Sequence, residues 1–528
     1  MRALLAIAAL ACVSACGGSG GGHAAPLSSS WQPPDELAYV PADTPYLVMA
    51  LDNGADAVDD LAFGGAGSGI GSWLTEHPSS SSTPLEKLAY STLQQLAGKS
   101  RAQIYQQLGL AQHGHVLIYG QGLAPVLRMP LADPKPLRDL IGQAVAAAGV
   151  GTPAPAVGPT AWTFTSDGLG FGIAVTDREL VGVISSADHV QQLLASSVHD
   201  RAANPIRADE IVALANRFGV TTAYFGEIDW QRAVAALEKQ TAVTAPFKLV
   251  LPPDCRADAE WLAHMSPRMV FGYSRADAHG FDASLYFELA PEIAKGLDGL
   301  HVAMPAPHPA SSSSLGTLET AVNLDAAASW LRGALTLASM RPMTCPAMSW
   351  MNDAVGKLTT ELAQPLPPEI AGMRGMQIVV DDASISPPGG TGYALVSGTN
   401  LAGALHQLQQ VPGLGGVAIG QGKPVQIPTA QMGMPNLVSY VGVGPDRAVV
   451  AVGADSEARV SSELAAPARE RAPLFELTVD LDALKQKFPS IAESLGKSAG
   501  AIARMQTETL AIDVRASALV FDLRGTLR

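Results

Sequence analysis

The cysteines are the residues of this 528-residue chain best placed to do chemistry, and their spacing separates them into two pairs. Cys12 and Cys16 stand close together near the start, while Cys255 and Cys345 lie far downstream. No C-x-x-C pair and no zinc-type spacing occurs, which excludes both a redox dithiol of that kind and a structural zinc set. His113-Gly-His115 opens an apolar strand, and strand alternation puts both imidazoles on one face, where they could share a metal. No third ligand stands near them, so the pair reads as a solvated strand end. The methionines crowd the second part of the chain, with Met340, Met343, Met348 and Met351 around Cys345 and the pair Met432 and Met434 beyond. Soft thioethers can hold Cu(I), but helical spacing alone also produces such groups, and gap-filling between packed elements is the simpler role. Neither a metal nor a cofactor is expected.

Sequence motifs for catalysis fail one by one. No register of Gly64–Gly71 gives G-x-G-x-x-G. Gly98-Lys99-Ser100 and Gly496-Lys497-Ser498 end like phosphate-binding loops, yet the first glycine of that motif falls on Leu93 or Ile491, and both read as helix ends. Ser494 and Lys497 have the S-x-x-K spacing without its companion motifs, and no G-x-S-x-G or H-E-x-x-H occurs. No catalytic residue is assigned.

The first 16 residues, MRALLAIAALACVSAC, set Arg2 before an apolar run from Ala3 to Val13. That run is too short for a bilayer core, which needs about 20 residues, so it reads as a signal-peptide core. Val13-Ser14-Ala15-Cys16 resembles the lipobox of bacterial lipoproteins, and the resemblance implies cleavage before Cys16, diacylation of its thiol and a new N-terminus there. Cys12 is a weaker second candidate. Gly17 in place of an aspartate after the cysteine resembles the outer-membrane sorting pattern. The stretch from Gly17 to about Pro34 is a Gly, Ser and Pro-rich tether that reaches roughly 25 Å as a flexible coil. No basic residue occurs between Arg2 and Lys87, so this end has no patch for anionic headgroups. Residues 1–15 thus read as signal peptide and 16–36 as tether, on the periplasmic side of the outer membrane, with the membrane a partner through the lipid anchor.

The body is globular: 47% of the chain is apolar and 16% charged. With 34 Lys+Arg against 48 Asp+Glu the net charge is −14, which argues against nucleic acid as a partner. Period-2 runs predict nine strands between 46 and 288, with helices at 84–97, 134–148, 187–196, 229–239, 254–265 and 290–297. After the aperiodic segment 305–314, read as a linker, nine further strands between 316 and 525 follow in the same order. The fold class is therefore α+β, two lobes from internal duplication (37–304 and 315–528) with mainly antiparallel or mixed sheets. Joint residues recur: Asp177-Arg178 matches Asp446-Arg447, Asp52 matches Asp325, and Asp229 matches Asp482. The four acids other than the Asp-Arg turns read as helix N-caps, as do Asp133 and Asn400, and Thr83 opens a capping box.

In an exported protein the isolated pair Cys255 and Cys345 is expected to form a disulfide. It closes a loop of about 90 residues, worth about 4–5 kcal/mol in the chain-entropy model, and joins one half to the other. The phrase Tyr39-Val-Pro-Ala-Asp-Thr-Pro-Tyr46 at the start of the body resembles uncharacterised bacterial envelope lipoproteins of the domain-of-unknown-function type, whose bodies open on a similar P-A-D-T phrase. That resemblance implies envelope location and duplicated α+β lobes, and it brings no catalytic residue. The expected function is a non-catalytic binding or structural role in the envelope, with an envelope protein as partner. A carrier of hydrophobic ligand between the lobes comes second, and a hydrolase without a recognisable motif third.

Overall fold

The computed structural model describes residues 33–50, 84–97, 99, 101–110, 116–166, 168–221, 224–239, 251–277, 279–310, 314–367, 372–385, 388–399, 401, 419, 422–432, 437–489 and 505–527. One compact unit ends at Glu288, and a second comprises Leu289–Leu495 with Met505–Thr526.

The first unit is an antiparallel sheet built from β1 (Tyr46–Ala50), β2 (Val116–Gln121), β3 (Ala124–Pro130), β4 (Thr152–Pro153), β5 (Ala161–Ser166), β6 (Leu169–Val175), β7 (Glu179–Ser186), β8 (Tyr224–Asp229), β9 (Arg268–Asp277) and β10 (Gly280–Glu288). Strand pairing runs β4-β5-β6-β7-β3-β2-β1-β8-β9-β10. Its helices are α1 (Pro84–Leu96), α2 (Arg101–Leu108), α3 (Pro134–Ala148), α4 (Val190–His199), α5 (Ala208–Phe218), α6 (Trp230–Glu238) and α7 (Pro253–Met265). The sequence reading places no helix at α2 or α5. Ala50, Val116 and Met129 on one sheet face bury against Leu96, Leu108 and Leu140 of α1 to α3. The other face lies under α4 along β6 and β7.

The second unit adds α8 (Pro291–Ala294), β11 (Met304–Pro305), β12 (Gly316–Ala321), α9 (Leu324–Ser339), α10 (Trp350–Leu362), β13 (Met373–Ile385), β14 (Pro388–Gly398), β15 (Val425–Gln426), β16 (Ser439–Val443), β17 (Arg447–Val452), α11 (Ser456–Ala465), β18 (Ala468–Arg469), β19 (Phe475–Asp480), α12 (Leu481–Lys487), β20 (Met505–Arg515) and β21 (Ala518–Leu527). Its pairing runs β15-β16-β17-β14-β13-β12-β19-β20. Ala516 and Ser517, both at positive φ, form the tight turn from β20 into β21. The order is that of the first unit, strand for strand from β5 to β9, so the α+β fold is a duplication. In each copy a glycine clears the sheet for the covering helix: a Cβ on Gly172 would meet Leu194 of α4, and one on Gly442 would meet Val460 of α11.

Register refines the matched joints. The turns Thr176–Glu179 and Gly444–Arg447 are equivalent, each closed by a hydrogen bond from the first N–H to the last carbonyl, of 2.9 and 2.7 Å. Pairing of Val175 with Leu180 and of Val443 with Ala448 makes Asp446 the counterpart of Arg178 and Arg447 the counterpart of Glu179. The Asp-Arg match is thus displaced by one residue. Asp229 caps α6 and Asp133 caps α3, as expected. Asp325 and Asp482, however, lie inside the first turns of α9 and α12, and the caps are Asn323 and Asp480. Leu324 and Leu481 are already helical, so the chain needs its side-chain acceptor before them. Asp52, Thr83 and Asn400 lie outside the described residues.

The unit boundary also differs from the expected lobe limits of 304 and 315, since 289–304 belong to the second unit. Residues 305–310 and 314 are not a free linker either. Met304–Pro305 pairs with Ala468–Arg469, the His308 N–H donates to the Tyr393 hydroxyl at 3.0 Å, and the Ala310 N–H and Ser314 hydroxyl both donate to Asp381 Oδ1 at 2.6 Å. Their prolines and serines carry no apolar period, so composition alone reads as linker; receptors on β13 and β14 hold them down.

Candidate functional site

The most concentrated charge in the first unit lies at one end of β8, β9 and β10. Antiparallel register sets Asp229 opposite Arg268, and Glu288 follows on β10. Glu227, two residues before Asp229, shares its face. Arg268 reaches Glu288 at 2.8 Å and Glu227 at 3.3 Å, Arg217 of α5 meets Glu288 at 2.6 Å, and Arg232 of α6 stands 3.5 Å from Asp229. All three acids are buried. Burial holds the Glu227 carboxyl above the usual glutamate range, opposed by Arg268 and Arg232. Three carboxylates alternate with three guanidinium groups, and Asp229 also accepts the Arg232 N–H at 2.9 Å as the cap of α6. This arrangement neutralises itself and fixes the register of three strands and the start of a helix.

The equivalent place in the second unit keeps one carboxylate and has a threonine where Arg268 stands. Asp480 caps α12, accepting from the Ala483 N–H at 2.7 Å, and faces Thr507, whose hydroxyl lies 2.6 Å from that of Thr526. The second unit keeps its buried charges elsewhere. Glu319, 1% exposed, stands between Gln377 and Glu476 in the cross-strand row and is bonded by Gln377 and Arg469. Its carboxyl is raised by burial, which outweighs those two bonds. Under the 305–314 segment, Glu463 meets Arg459 at 3.4 Å and His308 Nδ1 at 3.3 Å, and the Arg459 guanidinium lies 4.8 Å from the Tyr393 ring centre. Burial pushes the Tyr393 phenol up to about 12. In the first unit Arg128 is wholly buried, 3.6 Å from the Tyr39 ring centre and 2.6 Å from Glu179.

Two arrangements come closest to hydrolytic chemistry. Ser186 Oγ lies 2.9 Å from His189 Nδ1, but both belong to the turn from β7 into α4, where the His189 N–H also donates to the Ser186 carbonyl. His301 Nε2 lies 2.6 Å from Asp513 Oδ1. The first joins a hydroxyl to an imidazole, the second an imidazole to a carboxylate.

Cys255 on α7 and Cys345 before the short 3-10 turn Pro346–Met348 are disulfide-bonded and buried, 3% and 1% exposed. Cys12, Cys16, His113, His115, Met434, Ser494 and Lys497 lie outside the described residues. The methionines around Cys345 diverge: Met343 is buried and Met340 is 77% exposed. Among the described residues no group of three His, Cys, Asp or Glu is placed to hold a metal. The Glu227, Arg268 and Glu288 cluster was not foreseen; its one local signal is the Glu227-Ile-Asp229 alternation at a strand end.

No family model matches the chain, and no curated protein does. Among solved structures it is similar to one titled "Structure of crystal form I of TP0453", at 10% identity and a TM-score of 0.23, over 50% of this chain and 81% of that one.

Proposed function

We propose that this chain is a membrane-tethered lipoprotein of the periplasm, on the outer-membrane side, with a non-catalytic binding or structural role. The observation that carries the reading is the run from Arg2 to Cys16 followed directly by the Gly17–Gly22 tether, ahead of a folded duplicated body. Two features of the body agree with it. No helix among the described residues is long and apolar enough to cross a membrane. Buried Glu227, Asp229 and Glu288 pair strands and cap a helix. Replacing Cys16 with Ser is expected to move the protein from the membrane to the soluble fraction of cells; a variant that still sediments with membranes, while Cys12→Ser does not, overturns the anchor. A second reading, a carrier of hydrophobic ligand, draws on the exposed apolar side chains Val380, Leu477 and Leu510 of the second unit.

A further inference from the structure

The chain leading into each sheet is equivalent in the two units but fastened differently. Register from the matched turns makes Val126 the counterpart of Tyr393, Tyr119 of Val379 and Leu47 of Thr317, so residues 35–44 correspond to 305–314. In the first unit main-chain bonds hold the segment. The Ala202 N–H donates to the Ala38 carbonyl at 3.0 Å, Ile206 to Val40 at 2.8 Å and Ala42 to Asn204 at 2.9 Å. Tyr39 lies over Arg128, whose charge Glu179 balances.

In the second unit, past the Met304–Pro305 bridge to β18, the receptors are side chains. Gln377 donates to the Pro305 carbonyl, Tyr393 accepts the His308 N–H at 3.0 Å, and Asp381 accepts the Ala310 N–H at 2.6 Å. The His308 imidazole, 49% exposed, places Nδ1 3.3 Å from Oε2 of Glu463, which is 1% exposed. Glu463 and Asp381 share one guanidinium, that of Arg459, at 3.4 and 3.9 Å.

The charges around His308 determine what its proton does. Carboxylates are ordinarily ionised above about pH 5, so Glu463, Asp381 and Arg459 sum to one negative charge. Tyr393 is neutral, because burial pushes its phenol up to about 12. The charges farther out are paired among themselves: Arg447 with Asp446, Lys487 with Asp382 and Arg469 with Glu319. Glu476, opposite Glu319, adds only further negative charge. Residues 311–313 are serines, and 305–314 holds no titratable side chain besides His308. A proton on His308 therefore completes the balance beside a buried carboxylate, whereas a neutral imidazole leaves it unmet. We propose that residues 305–310 are a pH-controlled latch on the second unit, docked firmly while His308 is protonated and loosened when it is not. Docking is strengthened below the ordinary imidazole range of about 6.5 and weakens as pH rises through it. Loosening uncovers the Tyr393 hydroxyl and the Glu463 carboxylate. The latch is independent of the lipid anchor.

The test uses the mature full-length chain with Cys16→Ser, purified without detergent, and hydrogen exchange read at single amides by mass spectrometry. Pro305, Pro307 and Pro309 leave Ala306, His308 and Ala310 as the only N–H groups of 305–310, so one short peptide reports on the latch. After correction for intrinsic rates, protection at His308 and Ala310 is expected to be at least about 3-fold greater at about pH 5.5 than at about pH 7.5. Ala42 and Ile206, at the equivalent fastening of the first unit, should show no such difference. His308→Gln changes a half-exposed residue, so circular dichroism should match the parent, and protection should stay at the parent's high-pH level at both values. Should that variant misfold, the parent's contrast between the amides of the two units still tests the latch. Equal protection of the parent at both pH values, or greater protection at the higher one, overturns the proposal. A change of the same size at Ala42 and Ile206 assigns the effect to the whole chain, and a difference that survives in His308→Gln assigns it to another group; either result also overturns it.

Discussion

Glu227 is the residue whose titration most directly reports the ionic ladder. Desolvation raises its carboxyl, so the folded chain holds that proton more tightly than the unfolded one. The associated stability is present below the ordinary glutamate range and is lost as pH rises through the folded value. Glu227→Gln removes that loss, and Asp229 and Glu288 remain to neutralise Arg268. Its unfolding midpoint is expected to equal or exceed the parent's by up to about 3 °C at pH 7.5, with the difference vanishing at low pH. Scanning calorimetry across pH checks this, and a midpoint several degrees lower at neutral pH would show that the Arg268 contact outweighs burial. At the same scale, one place of displacement in the Asp-Arg turn matters because strand side chains alternate faces. It puts Glu179 where Arg447 stands in the other copy: Glu179 pairs with buried Arg128, whereas Arg447 donates to the Ala466 carbonyl at 2.6 Å and to Asp446.

Among the elements, the helix starts separate capping residues from their neighbours. Asp229 and Asp480 accept N–H groups three residues on; replacing Asp480 with Ala is expected to cost about 1 kcal/mol, and replacing Asp229 more, because Arg232 and Arg268 also lose a buried carboxylate. Asp325→Ala and Asp482→Ala, inside the first turn, keep the cap; the first loses a favourable dipole interaction of roughly 0.3–1 kcal/mol, and the second also loses its contact with Lys485 at 3.7 Å. Chemical denaturation checks the assignment at α9, where Asn323→Ala is expected to cost more than Asp325→Ala, and equal costs would contradict the assigned start of that helix. Sequence period located most strands and the long helices because both periods are local. Of the missed helices, α2 is mostly polar, so its apolar stripe of Ile104 and Leu108 is too narrow to stand out, whereas α5 carries a full stripe of Ile211, Leu214, Ala215 and Phe218 at helical spacing that was legible in the sequence.

For the whole molecule, the Cys255–Cys345 bond is the longest-range constraint that the sequence suggested. Non-reducing peptide mapping of exported protein is expected to recover the two peptides linked. Converting both cysteines to Ala should lower stability by about 2–5 kcal/mol, seen as a loss of the difference between oxidised and reduced samples. Free, alkylatable thiols at both positions would refute the bond. Duplication sets the frame in which every other comparison is made, since the same strand order carries an ionic ladder in one copy and a pair of threonines in the other.

The sequence by itself determined the α+β class, the repeat of strand order, the caps at Asp133 and Asp229, and the one cysteine pair free to bond within the body. Each of these depends on neighbours along the chain or on counting residues. Tertiary structure alone decided which acids are buried together, that His308, Ala310 and Ser314 are fastened by Tyr393 and Asp381, and that Leu477 and Leu510 of the second unit are exposed. These depend on register between strands far apart in sequence, and a slip of one residue turns every side chain of a strand to the opposite face.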